Sequence, residues 1–257
     1  MQQQYKSFIK GYKYRIYPTE EQKVLLAKTF GCCRYVYNKI LEAVKAEYEA
    51  YKESLKTPGA TTLKKPSVKA FELTKRLTLL KSKGDAPWLN EVSAVALQQS
   101  AIHLSKAFEN FFRAKKGYPK FKKKYGYQSF TLTRSAFNFK EGKLYIAKSD
   151  EPLEVLYSRE LPSEPSSLTI SKTPSGEYYI SFTCEYTPVK TSGTKITGID
   201  LGLNSLITLS DGTKIANPYH YRNGQKRLRR LQQSFSRKQK GSKNREKARI
   251  ALARQHE

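Results

Sequence analysis

One carboxylate stands where a strand could present it to a ligand: Asp200, in the run Gly198-Ile199-Asp200-Leu201-Gly202. Ile199 and Leu201 alternate with it, so if both apolar side chains face a core, the carboxylate points the other way. The glycines leave room beside it. A carboxylate so placed can ligate a divalent cation, whereas an Asp near glycines can also do no more than shape a turn. Leu206 to Leu209 reads as a short buried strand, and Asp211-Gly212 as a hairpin turn into a third strand, Thr213 to Ala216.

Two basic segments carry the other candidate chemistry. In the first, Lys115, Lys116, Lys120, Lys122, Lys123 and Lys124 are interleaved with Tyr118 and Phe121. Ammonium groups neutralise a phosphate backbone while rings stack on exposed bases. The second holds Arg222, Lys226, Arg227, Arg229, Arg230, Arg237, Lys238, Lys240 and Lys243, with Glu246 and Glu257 as the acids that follow. Leu228, Leu231 and Phe235 give it a thin helical seam, and the Lys240-Gly241-Ser242 turn leads to a second helix with Ile250 and Leu252. The expectation is a basic helical hairpin that repels itself unless phosphates match its charge.

The whole chain shares that bias. Lys and Arg number 48 against 22 Asp and Glu, a formal charge of +26, which implies a polyanionic partner, nucleic acid before any other. No stretch approaches the roughly 18 apolar residues of a membrane-spanning helix, and the amino terminus has no apolar signal-peptide core, so the expected location is the cytoplasm, with no membrane partner. Cys32, Cys33 and Cys184 form no CxxC pair, and His103, His220 and His256 are scattered, so no zinc motif is present.

The elements that must position these residues follow in order. Tyr5 to Tyr17 reads as a strand with Tyr12, Tyr14 and Ile16 on one face. Thr19-Glu20-Glu21-Gln22 opens a helix that Gly31 is expected to close, and a second helix follows with Val36, Tyr37, Ile40, Leu41 and Val44 in its stripe. Residues 57–66 read as a loop. A third helix starts near Ser67, with Phe71, Leu77 and Leu80 inward. A fourth carries Leu97, Ala101, Leu104, Phe108, Phe111 and Phe112. Past Gly117 the period becomes alternating, with strands at Phe130 to Thr133, Phe137 to Ile146 around a Glu141-Gly142 turn, Leu168 to Lys172 and Tyr178 to Tyr186. The first strand is expected to join these, making the four helices an insertion within one β domain.

Four motifs carry a resemblance: KYRIYPTEEQ with FGCCRYVYN; Trp88 with the helix into FENFFRAKKGYPKFKKK; GIDLGLNSLITLSDG; and NPYHYRNGQKRLRRLQQSFSRKQKGSK. In that order, and over essentially the whole chain, the sequence resembles the amino-terminal part of TnpB-type proteins, the OrfB accessory transposases of insertion sequences. The resemblance implies an α+β architecture: a small wedge β-barrel (residues 1–17 and 118–193) interrupted by a helical recognition lobe (18–117). The first part of a ribonuclease-H-like, RuvC-type nuclease domain with the basic hairpin would follow (194–257). It implies an RNA-guided DNA endonuclease in its complete form, with guide RNA and target double-stranded DNA as partners. Asp200 would be the first RuvC aspartate, a Mg²⁺ ligand, because in-line attack on a phosphodiester benefits from paired metals held by several carboxylates. Sequence specificity would come mainly from base pairing.

The sequence also departs from the family. The later RuvC Glu and Asp and the CxxC...CxxC ribbon that would bind Zn²⁺ are missing, so the chain reads as a fragment or a natural truncation, and as written is not expected to cleave DNA. A shortened, inactive RNA- and DNA-binding member is the alternative. An actin-like ATPase, whose phosphate site also opens on a Gly-Ile-Asp-Leu-Gly turn, is the remote one, since a basic segment rather than a second glycine-rich loop follows.

Overall fold

The computed structural model describes residues 7–56, 63–82, 84, 86–114, 116–188 and 196–257 of a mixed helix-and-sheet protein. They fall into two compact units, one of Ser7–Thr173 with Glu177–Tyr186, the other of Pro174–Gly176 with Thr187–Glu257.

The first unit begins with β1 (Phe8–Ile16) and continues into α1 (Glu20–Lys56), α2 (Ala70–Ser82) and α3 (Ala94–Arg113). The strands β2 (Gln128–Thr133), β3 (Phe137–Lys140), β4 (Lys143–Ile146), β5 (Val155–Leu156), β6 (Ser167–Lys172) and β7 (Tyr178–Tyr186) follow. Hydrogen bonding orders five of them β2-β6-β7-β1-β5, every pair antiparallel. The first strand therefore does join the later ones, with Phe8 opposite Tyr186 and Ile16 opposite Tyr178. Tyr12, Tyr14 and Ile16 are buried, as are Tyr178, Ile180, Phe182 and Cys184, so the period-2 patterns of both strands place their apolar faces in one core. The β3–β4 hairpin turns on Glu141 and Gly142, both at positive φ, the backbone a two-residue hairpin loop requires.

A reciprocal capping box starts α1. Gln22 N donates to Thr19 Oγ1 at 3.3 Å, and Thr19 N donates to Gln22 Oε1 at 3.1 Å. The same amide reaches the carbonyls of Glu151 and Pro152, so Gln22 is buried with its donors satisfied. From there α1 runs unbroken through Gly31, and the two helices expected on either side of it are one. A glycine stops a helix when the next residues need a left-handed turn, but here Phe30, Cys32, Cys33, Val36 and Tyr37 are all buried, and packing on both sides outweighs the local preference. Fully burying side chains such as Leu26, Val36 and Leu41 stabilises the fold by about 1.5–3 kcal/mol each.

Small and polar residues bring α3 close to α1: Ser100 Oγ donates to Cys33 O at 2.7 Å, and Cys33 Sγ donates to Ala96 O at 3.4 Å. Trp88, in the 3-10 turn Pro87–Glu91, meets Tyr35 edge-on at 4.7 Å. Phe30 and Phe130 pack with ring centroids 5.2 Å apart, joining α1 to β2. Two residues expected inward are not: Phe71 is 68 % and Phe112 57 % exposed, while Leu73 and Leu77 supply the buried face of α2.

The second unit holds β8 (Ile199–Asp200), β9 (Ser205–Leu209) and β10 (Lys214–Ala216), antiparallel in the order β10-β9-β8, then α4 (His220–Arg237) and α5 (Lys243–His256). Asp211 Oδ1 accepts from Thr213 N at 2.9 Å in the β9–β10 turn, beside Gly212 at φ 85°. A Cβ on Gly202 would lie 3.0 Å from the Ser205 carbonyl, so a larger residue there would push the β8–β9 turn apart by a few tenths of an ångström. Ile199 and Leu201, expected to face a core, are 64 % and 75 % exposed, because no described residue covers that face of the short sheet.

Candidate nucleic-acid interface

The first basic segment leaves α3 as a loop and is held by one side chain of α1. Asn38 Nδ2 donates to Lys122 O at 3.0 Å, and Lys122 N donates to Asn38 Oδ1 at 2.8 Å, a two-point clasp on the loop backbone. Farther along, Gln128 Nε2 donates to the carbonyls of Lys123 and Gly126 while Arg34 Nη1 donates to Gln128 Oε1. With the backbone set by these bonds, Lys116, Lys120, Lys123 and Lys124 are exposed. Lys122 differs. Its ammonium sits 4.5 Å from the Tyr37 ring centre, and burial holds its pKa below the usual lysine value. Lys115 lies outside the described residues.

The aromatic members divide likewise. Tyr118 is half-buried, edge-on to Phe108 at 5.6 Å and to Phe111 at 5.3 Å. Phe121 is exposed, with the Lys45 ammonium 5.1 Å from its ring. Tyr125, on which the interleaved run ends, and Tyr127 just beyond it are two further exposed rings. A second cation–ring row lies across β1 and β7, with Lys10 over Tyr186 and Lys13 over Tyr179, each at 4.1 Å. Only the strand register pairs them. In the same row Arg15 is engaged internally. It pairs with Glu177 and donates to Tyr179 Oη at 3.0 Å, and the bond to Glu177 raises its pKa above the ordinary value.

The basic hairpin is built from both ends. Tyr219 precedes α4 in a left-handed conformation, its hydroxyl donating to Leu203 O at 3.0 Å while Asn217 Nδ2 donates to the same carbonyl at 3.1 Å. This ties the start of α4 to the β8–β9 turn. Gly241 at φ 87° reverses the chain, and Ser242 caps α5 by accepting from Arg245 N at 3.1 Å. Arg245 then closes the hairpin. Its guanidinium lies 4.2 Å from the Phe235 ring centre, and Nη1 donates to Lys238 O at 2.7 Å.

No residue of α4 or α5 is fully buried. Arg222, Lys226, Arg227, Arg229, Arg230, Arg237, Lys238, Lys240 and Lys243 are all exposed, and among the described residues none makes an ion pair. On α1 the pattern is opposite: Lys23, Lys39, Lys52 and Lys56 each pair with a glutamate three residues away. Uncompensated charge is thus concentrated on the hairpin, where Arg222, Lys226, Arg229 and Arg230 share a face at helical spacing.

Asp200 lies on β8 opposite Thr208 and is exposed. Among the described residues, no three His, Cys, Asp or Glu side chains gather as a metal site. A single exposed carboxylate does not fit the several ligands that Mg²⁺ or a zinc ribbon takes, so no chemical step follows from these residues. Among the described residues no helix is long and apolar enough to cross a membrane.

Two family models match the chain. One, of OrfB proteins from IS605-type elements, is described as a helix-turn-helix domain and spans residues 8–53, which here are β1 and most of α1. The other is described as "Probable transposase" and spans 179–257, from β7 to the end of α5. Two curated relatives carry the name "Putative RNA-guided DNA endonuclease". The Streptomyces pristinaespiralis protein is 42% identical over 253 residues, 96% of this chain and 59% of its own length. That of Escherichia coli K12, further named InsQ, is 28% identical over 252 residues, with the same two coverages of 96% and 59%. The chain thus spans about three-fifths of the length of these two relatives. The cryo-EM structure of a CRISPR-Cas12f ternary complex is similar over 88% of this chain and 55% of that one, at 14% identity and a TM-score of 0.34.

Proposed function

The chain belongs to the TnpB/OrfB family of transposase-associated proteins, and from that membership we propose that it forms the guide-RNA- and target-DNA-binding part of an RNA-guided DNA endonuclease. The observation that carries the reading is the face of exposed arginines and lysines on α4 and the α4–α5 turn, without carboxylate partners among the described residues. Such a face is costly in an isolated domain and stable against phosphates, since each neutralised phosphate releases counterions.

In this reading the five-stranded sheet and the β3–β4 hairpin form the wedge β domain of residues 1–17 and 118–193. The helices within 18–117 form the recognition lobe, and residues 194–257 begin the RuvC-like domain. Lys116, Tyr118, Lys120, Phe121, Lys123 and Lys124 contact nucleic acid from the loop, together with Lys115, and Lys122 fixes the path of that loop through its clasp with Asn38. Asp200 contributes one carboxylate toward a Mg²⁺-dependent nuclease site, which requires further carboxylates around it.

The test is to purify the chain under low salt, sequence the RNA that accompanies it, and titrate that RNA against salt. Retention of a defined RNA, with affinity falling steeply in log-log terms, is the expected result. No RNA at low salt, or binding indifferent to salt, rejects the reading.

A further inference from the structure

Within the first unit, α1, α3, the loop after α3 and the segment Lys65–Val68 before α2 line a pocket of about 750 Å³, the size of a small-ligand site. Its walls are mostly apolar. Tyr48, Phe112 and Tyr118 supply ring faces and edges, and Lys45, Lys52 and Lys65 stand around them. Glu49, the carboxylate among the lining residues, is paired with Lys52 at 3.3 Å, which leaves the lining net positive. The Lys45 ammonium is 5.6 Å from the Tyr118 ring centre and 5.1 Å from that of Phe121 outside the pocket. Phe112 is a large ring 57 % exposed on a helix whose other phenylalanines are buried, Phe108, or half-buried, Phe111. A solvent-facing phenylalanine beside lysines has lost burial energy that a flat, apolar, anion-bearing ligand would restore.

We infer that this pocket receives one unpaired nucleobase of a bound RNA, stacked against Phe112 and Tyr118, with its flanking phosphates on Lys45 and Lys65. The inference rests on the nucleic-acid reading above and adds to it a subsite. A paired base is already stacked on both faces and cannot enter a side-walled pocket, whereas a base splayed from a single-stranded segment can. A neutral apolar ligand would gain nothing from Lys45 and Lys65, the lining lysines that no described carboxylate pairs. Every base has a π face, so the subsite selects for being unpaired rather than for sequence.

Photocrosslinking separates this subsite from general binding. A short single-stranded RNA carrying 4-thiouridine is bound to the chain, irradiated with long-wavelength ultraviolet light and digested with trypsin. The expected adducts are on the peptides Ala107–Arg113 and Gly117–Lys120. Lys45→Gln should lower their yield about tenfold, in line with removal of one charged contact to a flanking phosphate, while total RNA retention changes much less. Phe112→Trp, which keeps a stacking face on an exposed position, should retain the adduct. If RNA is retained but adducts are confined to α4, α5 and the loop beyond Lys120, the pocket is not a base site and the broader reading stands. If no RNA is retained at low salt, both fail together.

Discussion

Arg76 and Glu47 meet as a two-point ion pair, Nη1 to Oε1 at 2.5 Å and Nη2 to Oε2 at 2.6 Å, which fastens α2 to α1. The guanidinium is largely covered while the carboxylate is about half exposed. Arg76→Lys keeps the charge and loses the fork, so we expect destabilisation of about 0.5–1 kcal/mol in urea melts. With Glu47→Gln already present, the same change should cost less, and full additivity would show that the pair contributes nothing.

Asn38 should matter more than its place on a helix suggests. Asn38→Ala leaves a part-buried carbonyl and N–H of Lys122 without partners and should cost about 1–3 kcal/mol. The loop it clasps would also lose its fixed path. RNA affinity should therefore fall although no cation is removed, and unchanged affinity in a folded variant would detach the clasp from binding.

Gly31→Ala should stabilise the chain by about 0.5–1 kcal/mol, because α1 is helical there and glycine loses the more entropy on folding. A new Cβ would meet only the Arg34 guanidinium, at 4.0 Å. A lower melting temperature would mean that α1 breaks at Gly31 in solution.

Burial pushes the Cys33 thiol up to about 12, against 9.0 in the unfolded chain. Between those values the folded state holds a proton that the unfolded state gives up. Stability is therefore intact below pH 9 and falls as pH rises through the window, by about 1.4 kcal/mol per unit from this group. Cys33 should resist iodoacetamide at pH 8 in the native protein and react on unfolding. Rapid native labelling would contradict its burial.

Arg227→Glu with Arg230→Glu should weaken RNA binding and flatten its salt dependence, by roughly 0.7–0.9 in log-log slope for each phosphate no longer neutralised. Melting should stay unchanged, since both side chains are exposed. Asp200→Ala should leave RNA affinity as it is, and a large drop would give that carboxylate a binding role.

What could be read in the residues was local. Thr19 and Gln22 announce the start of α1, Glu141-Gly142 and Asp211-Gly212 announce turns, and the alternation in Tyr12–Ile16 and Tyr178–Cys184 announces half-buried strands. What could not was decided at a distance. Gly31 looks like a stop because nothing nearby says that Phe30, Cys33 and Tyr37 will all find partners. Phe112 belongs to an apolar stripe, yet the face it occupies is left open. The same holds at the interface. Residue types marked the basic loop and hairpin correctly as charged, but Lys122 is turned onto Tyr37 by a clasp from a residue far earlier in the chain. The Lys13–Tyr179 pair exists only in the register of β1 with β7. An asparagine in the interior of a long helix, where its propensity is poor, was the one visible hint of Asn38's task.

The partnership of β1 with β7 also has a consequence in time. Phe8–Ile16 pair along their whole length with Tyr178–Tyr186, and only Arg15 and Ile16 have the nearer β5 as a second neighbour. On a ribosome the helical block emerges between them, so the first strand waits roughly ten to thirty seconds at ordinary elongation rates before its neighbour exists. During that interval Tyr12, Tyr14 and Ile16 have no sheet to enter. The helices can pair with each other early, whereas the sheet can close only late, and the newborn chain exposes its basic loop before its β layer is complete.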